Sequence, residues 1–212
     1  MTERLRIAIV DAGIGNLRSV QKGFEHVGVR PVPTDDPVVV ADAHAVVLPG
    51  VASFGDEMAG LRARGLDSAI LAVIERGVPF LGICVGLQLL FGSSEEMGTH
   101  QGLGILPGRV KRFSVSLTVP HMGWNQIEQQ RPHPLLADVP DGAFVYFANS
   151  YHAVTDDESV VVATTEYGTH FPSVVARDNV WAIQFHPEKS QETGLIMLRN
   201  FVENVYDRLP GH

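Results

Sequence analysis

Two stretches place a cysteine, a histidine and a glutamate at spacings suited to nucleophilic chemistry. In FLGICVGLQLLF the lone cysteine, Cys84, lies between an apolar run and a helix-like segment, framed by Gly82 and Gly86 in a G-x-C-x-G pattern. Flanking glycines permit the sharp strand-to-helix turn that lifts a nucleophile out at the end of a strand. A helix N-terminus beside the sulfur favours the thiolate, the reactive form. In AIQFHPEKS, His186 follows a second apolar run and Glu188 stands two residues on. Alternate positions of an extended segment project to the same side, and Pro187 biases His186 toward extended backbone. One short stretch therefore presents a base for the thiol together with a carboxylate to orient it. A third stretch, LPGVASFG from Leu48 to Gly55, follows another apolar run. Its Pro-Gly turn offers backbone N–H groups at Gly50 and Val51 as oxyanion donors, with that of Val85, just after the cysteine, as the partner donor.

Read singly, each signal has an ordinary explanation: a buried small cysteine, a surface H-x-E pair and a plain turn. Three of them at the ends of three strands, where α/β sheets place their sites, favour catalysis.

Those strand ends require a sheet. Short apolar runs alternate with helix-length segments through the first half: RIAIV then NLRSVQKGFEHVG, AVVLPG then a helical stretch from about Phe54 to Arg76, VPFLGI then CVGLQLLF. The alternation predicts a parallel sheet with crossover helices. Asn16 is placed to cap the first helix, and Gly28 and Gly77 to stop helices at their C-termini. From Gly108 to Ile183 the chain turns richer in β-branched and aromatic residues, in runs such as RVKRFSV, FVYF and SVVVATT. These predict antiparallel strands added to the sheet or packed beside it. A closing helix is expected over roughly Gln191 to Arg208, burying Leu195, Leu198, Phe201, Val202 and Val205. The expected fold class is α/β: a mixed, mostly parallel central sheet with helices on both faces and antiparallel strands added in the second half. Residues 1–212 are expected to form a single domain.

Bulk properties narrow the function classes. The 212 residues are 45% hydrophobic and 19% charged, enough for one large core. A formal net charge of -8 gives no global attraction to nucleic acid or anionic lipid. The N-terminus has no apolar stretch of signal-peptide length, and no segment reaches the roughly 18 apolar residues of a membrane span, so a cytoplasmic protein is expected. One cysteine rules out an internal disulfide and a cysteine-based zinc cluster, and the nine histidines lack HxxxH or HExxH spacing. Neither a metal nor a cofactor is expected. The stretch VDAGIGNLRSV opens like a dinucleotide-binding turn, but the third glycine position falls on Arg18. A non-catalytic nucleotide-binding module and another cysteine hydrolase, of the γ-glutamyl hydrolase kind, stand as alternatives.

FLGICVGLQLLF together with FHPEKS resembles the class I glutamine amidotransferases, over nearly the whole chain. The resemblance implies glutamine hydrolysis through a γ-glutamyl thioester with release of ammonia. Cys84 would be the nucleophile, His186 the general base and then acid, and Glu188 the orienting carboxylate. Within that class, D-x-G-x-G-N-L-x-S at Asp11 to Ser19, P-H-M-G-W-N at Pro120 to Asn125 and L-P-G-V are similar to one branch. That branch comprises the glutaminase subunits of imidazole glycerol phosphate synthases in histidine biosynthesis. It implies that Gln88, Glu96 and the backbone around Ser150 and Tyr151 hold the glutamine.

The same resemblance implies a partner, a (β/α)8-barrel cyclase subunit that receives the ammonia through an internal channel in a heterodimer. The acceptor would be an N-formimino phosphoribulosyl aminoimidazole carboxamide ribonucleotide, bound by the cyclase and activating this subunit across the interface. The isolated chain is then expected to hydrolyse glutamine slowly. Gly13, Gly15 and Asn16 would face the partner instead of cradling a phosphate, and Trp124 and Lys189 are further interface candidates. The sequence departs from the family pattern twice. Ala52 stands where P-G-V-G has its second glycine, and alanine resists a peptide rotation that glycine allows. Asn149 stands where a histidine usually precedes S-Y, and serves if that position works through its backbone.

Overall fold

The computed structural model describes residues 5–14, 17–114 and 116–209. The first half runs β1 (Ile7–Val10), α1 (Leu17–His26), β2 (Val32–Thr34), α2 (Pro37–Ala41), β3 (Ala45–Gly50), α3 (Phe54–Ala63), α4 (Leu66–Glu75), β4 (Phe80–Cys84) and α5 (Val85–Gln88). The second half adds β5 (Phe91–Ser94), β6 (His100–Gln101), β7 (Leu106–Arg112), β8 (His121–Gln126) and β9 (Glu128–Gln129). It continues with β10 (Phe144–Asn149), β11 (Tyr151–Thr155), β12 (Val161–Glu166), β13 (His170–Arg177), β14 (Val180–Ile183) and α6 (Gln191–Asp207).

An eight-stranded sheet in the order β2-β1-β3-β4-β14-β13-β12-β9 forms the centre. Strands β2 through β14 in that order pair in parallel, and β13, β12 and β9 continue it antiparallel. Every residue of β1, β3, β4 and β14 is buried, as continuous apolar runs must be when helices cover both faces of a parallel sheet. The chain steps from β1 to β2 in one direction and from β2 past β1 to β3 in the other. Right-handed crossovers therefore put α1 and α2 on opposite faces. Helix α6 joins the α1 side, where Phe24 and Phe201 meet edge to face at 6.4 Å. The expected antiparallel strands occur both ways, some extending the main sheet and others forming a β10–β8 ribbon and a mixed β11-β7-β5-β6 sheet in which β5 and β7 run parallel.

Two local expectations need correction. The helical stretch from Phe54 to Arg76 is two helices, because Gly65 takes a left-handed φ of 68° that ends one and starts the next. After Cys84 only one helical turn forms, and Phe91 already belongs to a strand paired with β7. Leu89, Leu90 and Phe91 are all buried, and an uninterrupted apolar run carries no periodicity to separate helix from strand. The closing helix lies where expected and buries Leu198, Phe201, Val202 and Val205, with Leu195 half-buried.

Register aligns what matters for chemistry. Gly50 of β3 pairs with Cys84 of β4, and Ile183 of β14 pairs with Ile83. The segments leaving β3, β4 and β14 thus emerge side by side at one carboxyl edge. Among the described residues, no helix is long and apolar enough to cross a membrane.

Candidate active site

Cys84 ends β4 and caps the single turn α5 with φ 56° and ψ −112°, outside the regions that side-chain-bearing residues favour. Such strain persists only where surrounding packing enforces it. The enforcement is visible in the flanking glycines. A side chain at Gly86 would collide with the backbone carbonyl of Leu48, and a Cβ at Gly82 would lie 2.8 Å from the Gly86 carbonyl oxygen. The G-x-C-x-G frame is thus a steric requirement for pressing the elbow onto the sheet.

The other half of the couple comes from the turn after β14. His186 precedes the 3-10 turn Pro187–Lys189 and keeps extended backbone, so Glu188 folds back beneath its ring. Nδ1 of His186 donates to Oε1 of Glu188 at 2.9 Å, with both side chains nearly excluded from solvent. Burial opposes a charged imidazole here. Hydrogen bonds to the Cys84 sulfur and the Glu188 carboxylate outweigh it and raise His186 to about 10. With Nδ1 committed to Glu188, Nε2 is the nitrogen left for the sulfur. The turn is pinned by buried Ser190, whose hydroxyl donates to the His186 carbonyl at 2.6 Å and accepts from the Tyr146 N–H at 2.9 Å.

Beside the triad lies a cleft of about 370 Å³ lined by Cys84, Gln88, Glu96, Asn149, Ser150 and Tyr151 among others. It gathers all four residues expected at the glutamine. Gln88 is buried, and its amide nitrogen donates to the Tyr151 carbonyl and to Oε1 of Gln184, each at 3.0 Å. Nε2 of Gln184 in turn sits 3.8 Å from the Cys84 sulfur. The Asn149 side chain donates to the same Tyr151 carbonyl at 2.9 Å, so it shapes the local backbone. Glu96 accepts the Phe54 N–H at 2.7 Å, which ties the cleft wall to the start of α3. A larger apolar groove of about 840 Å³ runs along β2 and α2, remote from these groups.

In the loop after β3, where oxyanion donors are expected, two N–H groups are engaged by an acid. The N–H of Val51 donates to Oε1 of Glu57 at 3.0 Å, and the N–H of Ala52 donates to the same oxygen at 3.2 Å. The Val51 donor is therefore turned toward α3. Gly50 remains packed against the elbow, where a Cβ would stand 2.7 Å from the Val85 side chain.

A family model described as glutamine amidotransferase class-I matches residues 8–205. The chain belongs to the class-I glutamine amidotransferase family. It is 57% identical over 202 residues to the imidazole glycerol phosphate synthase subunit HisH of Syntrophotalea carbinolica, covering 92% of this chain and 98% of that one. It is 54% identical over 205 residues to the subunit of the same name from Geobacter sulfurreducens, covering 93% and 98%. The structure of PurLQS from Thermotoga maritima shares the fold with a TM-score of 0.73 at 21% identity, covering 96% of this chain and 98% of that one.

Of the residues expected to face a partner in this class-I amidotransferase, Lys189 lines the same cleft as Cys84 and His186. Trp124 is 46% exposed, with its ring edge-to-face against Tyr146 at 5.9 Å, and the Lys189 ammonium lies 6.0 Å from the Tyr146 ring centre. Gly13 is exposed with φ 85°, and its N–H donates to the Asp11 carboxylate at 2.8 Å. Neighbouring Ile14 lines a small cavity of about 100 Å³ with Val51, His186, Glu188 and Lys189. Gly15 and Asn16 lie outside the described residues.

Three residues of the amidotransferase site escape a reading by motif: Glu57, Gln184 and Ser190. Gln184 and Ser190 stand two before and four after His186, so alternation along the strand end and a hydroxyl after the turn are usable signals. Glu57 has no such signal beyond an acid early in a helix.

Proposed function

We propose that the chain, acting as one amidotransferase domain, hydrolyses glutamine to glutamate and ammonia as the glutaminase subunit of a cytoplasmic imidazole glycerol phosphate synthase in histidine biosynthesis. The observation that carries this reading is the strained Cys84 facing the buried His186–Glu188 pair at the mouth of a cleft. The high identity to HisH subunits supports the choice of branch.

The Cys84 proton passes to His186, and the sulfur attacks the side-chain amide carbon of glutamine to form a C–S bond and a tetrahedral oxyanion. His186, held protonated by Glu188, gives its proton to the departing nitrogen as the C–N bond breaks, leaving a thioester and ammonia. Water then attacks the thioester, losing its proton to His186, and the C–S bond breaks to release glutamate. Gln88, Glu96, Ser150 and Tyr151 form the substrate cleft, with the Glu96 carboxylate available to the α-ammonium. Backbone donors at Gly50, Val51 and Val85 are assigned to the oxyanion.

The ammonia passes to a (β/α)8-barrel cyclase subunit docked over Gly13, Trp124 and Lys189. The test is ammonia release from glutamine by the purified chain, with and without cyclase and its nucleotide ligand, alongside Cys84→Ala. The expected result is slow release alone, faster release with both additions and none from the variant. Rapid turnover indifferent to cyclase and ligand overturns the coupling, and ammonia release by Cys84→Ala overturns the nucleophile.

A further inference from the structure

Glu57 is an acid with no place in the triad or the substrate cleft, yet its side chain is 1% exposed. One carboxylate oxygen accepts two consecutive backbone N–H groups, from Val51 and Ala52, and the other, Oε2, is buried without a hydrogen-bond partner among the described residues. Burial of the carboxylate raises its pKa, and the two backbone bonds work against that rise. Helix capping does not account for the arrangement. Ser53 already caps α3 by accepting the Asp56 N–H, and Glu96 accepts that of Phe54. The loop that Glu57 holds is the one beside the nucleophile: Gly50 pairs with Cys84 across the sheet, and Val51 and Ala52 line the same cleft as the sulfur.

An oxyanion is stabilised by N–H groups aimed at the place where its charge develops. An N–H that donates to Glu57 on the α3 side is not available there. We propose that Glu57 is a positioning residue that clamps the oxyanion loop with its donors withdrawn, so that turnover requires the Val51 N–H to leave the carboxylate and rotate toward Cys84. Ala52 reinforces the clamp, since its Cβ restricts the backbone rotation that glycine would permit. A charged acceptor binds an N–H about twice as strongly as a neutral one, so the charge on Glu57 sets how rarely the loop opens.

This inference rests on the glutaminase reading, and two variants test it. Glu57→Gln keeps the shape and weakens the acceptor, while Ala52→Gly keeps the acceptor and frees the backbone. Each is expected to raise kcat for glutamine in the isolated chain by about tenfold with little change in KM. Activity with cyclase and nucleotide bound should stay near wild type, so the stimulation ratio shrinks by the same factor. A glutamine-like chloroketone, which reacts by way of a thiohemiketal oxyanion before chloride leaves, should alkylate Cys84 faster in both variants. Iodoacetamide, which displaces halide without forming an oxyanion, should react at the wild-type rate. A basal kcat that is unchanged or lower in both variants, with ammonia still released by wild type, overturns the clamp alone. No ammonia from wild type under any condition overturns the glutaminase reading and the clamp with it.

Discussion

The carboxylate of Glu188 lies 2.9 Å from Nδ1 of His186, with the two side chains only 4% and 6% exposed. A pair this dry holds the ring in one orientation and favours its protonated form. Glu188→Gln retains the shape and removes the charge. Turnover of glutamine should fall by roughly 10²- to 10⁴-fold, the span general acid–base groups contribute. The His186 imidazole should titrate below its wild-type value of about 10, a shift measurable by NMR of the ring protons. Stability follows with a definite sign. A histidine raised from 6.5 to about 10 contributes stability that is fully present below pH 6.5 and is lost as pH rises through 10. The variant should lack part of that alkaline loss; identical alkaline melting profiles would contradict the pairing.

The backbone of Cys84, at φ 56° and ψ −112°, makes a separate prediction about stability. Glycine ordinarily costs about 1 kcal/mol more than alanine through chain entropy. At this elbow alanine keeps the strain and glycine relieves it, and strain of this kind is worth on the order of 1–3 kcal/mol. Cys84→Gly should therefore be at least as stable as Cys84→Ala in denaturant melts, with both devoid of glutaminase activity. A Gly variant less stable by about 1 kcal/mol would show that the elbow is relaxed.

The placement of Cys84, His186 and Glu188 is legible because each signal is local: a cysteine between two glycines, and an imidazole and acid two residues apart before a helix. Strand identity was legible for the same reason, since β1, β3, β4 and β14 are buried on both faces and read as apolar runs. Where the tertiary fold decides, local pattern carries no signal. The run after Gln88 changes from helix to strand because Phe91 finds Leu106 across a sheet, a pairing invisible to periodicity. The loop after β3 is held by Glu57 reaching back across the start of α3 to the Val51 N–H, and nothing in LPGVASFG marks that acceptor. Gln184 likewise acquires its role through Gln88, 96 positions away in the chain.

Acid should destabilise the fold through His121. Its ring stacks on Tyr167 at 4.0 Å and Phe147 at 4.7 Å, and burial lowers it to about 4. His133 is lowered to about 4 as well, chiefly by burial and further by Arg131. Both are neutral in the folded chain while unfolded histidine, at 6.5, takes up a proton. Between pH 6.5 and 4 the unfolded state binds more protons, so stability falls as pH falls across that window. The melting temperature should drop from pH 7 to 5, and His121→Phe, which keeps an aromatic ring in the stack, should show a shallower drop. An unchanged slope in that variant would place the acid sensitivity elsewhere.

The β8–β10 ribbon carries the last prediction. Trp124 pairs with Tyr146 across the ribbon, and alternation puts Met122 and Phe144 on that same face. Met122 is 66% exposed, Trp124 46% and Phe144 55%. Three large apolar side chains on one face, next to Ala148 of the cleft beside Cys84, form the kind of patch that partners cover. Tryptophan is also a residue on which binding energy concentrates. Trp124→Ala should leave slow glutamine hydrolysis by the isolated chain intact. It should weaken the complex with the cyclase by about 2 kcal/mol, roughly 30-fold in Kd, measured by titration calorimetry. Because Trp124 touches Tyr146, whose N–H and carbonyl tie down Ser190 and His186, a structural role would instead lower basal hydrolysis along with melting temperature. Wild-type affinity with reduced basal activity would therefore move this tryptophan from the partner surface to the support of the triad.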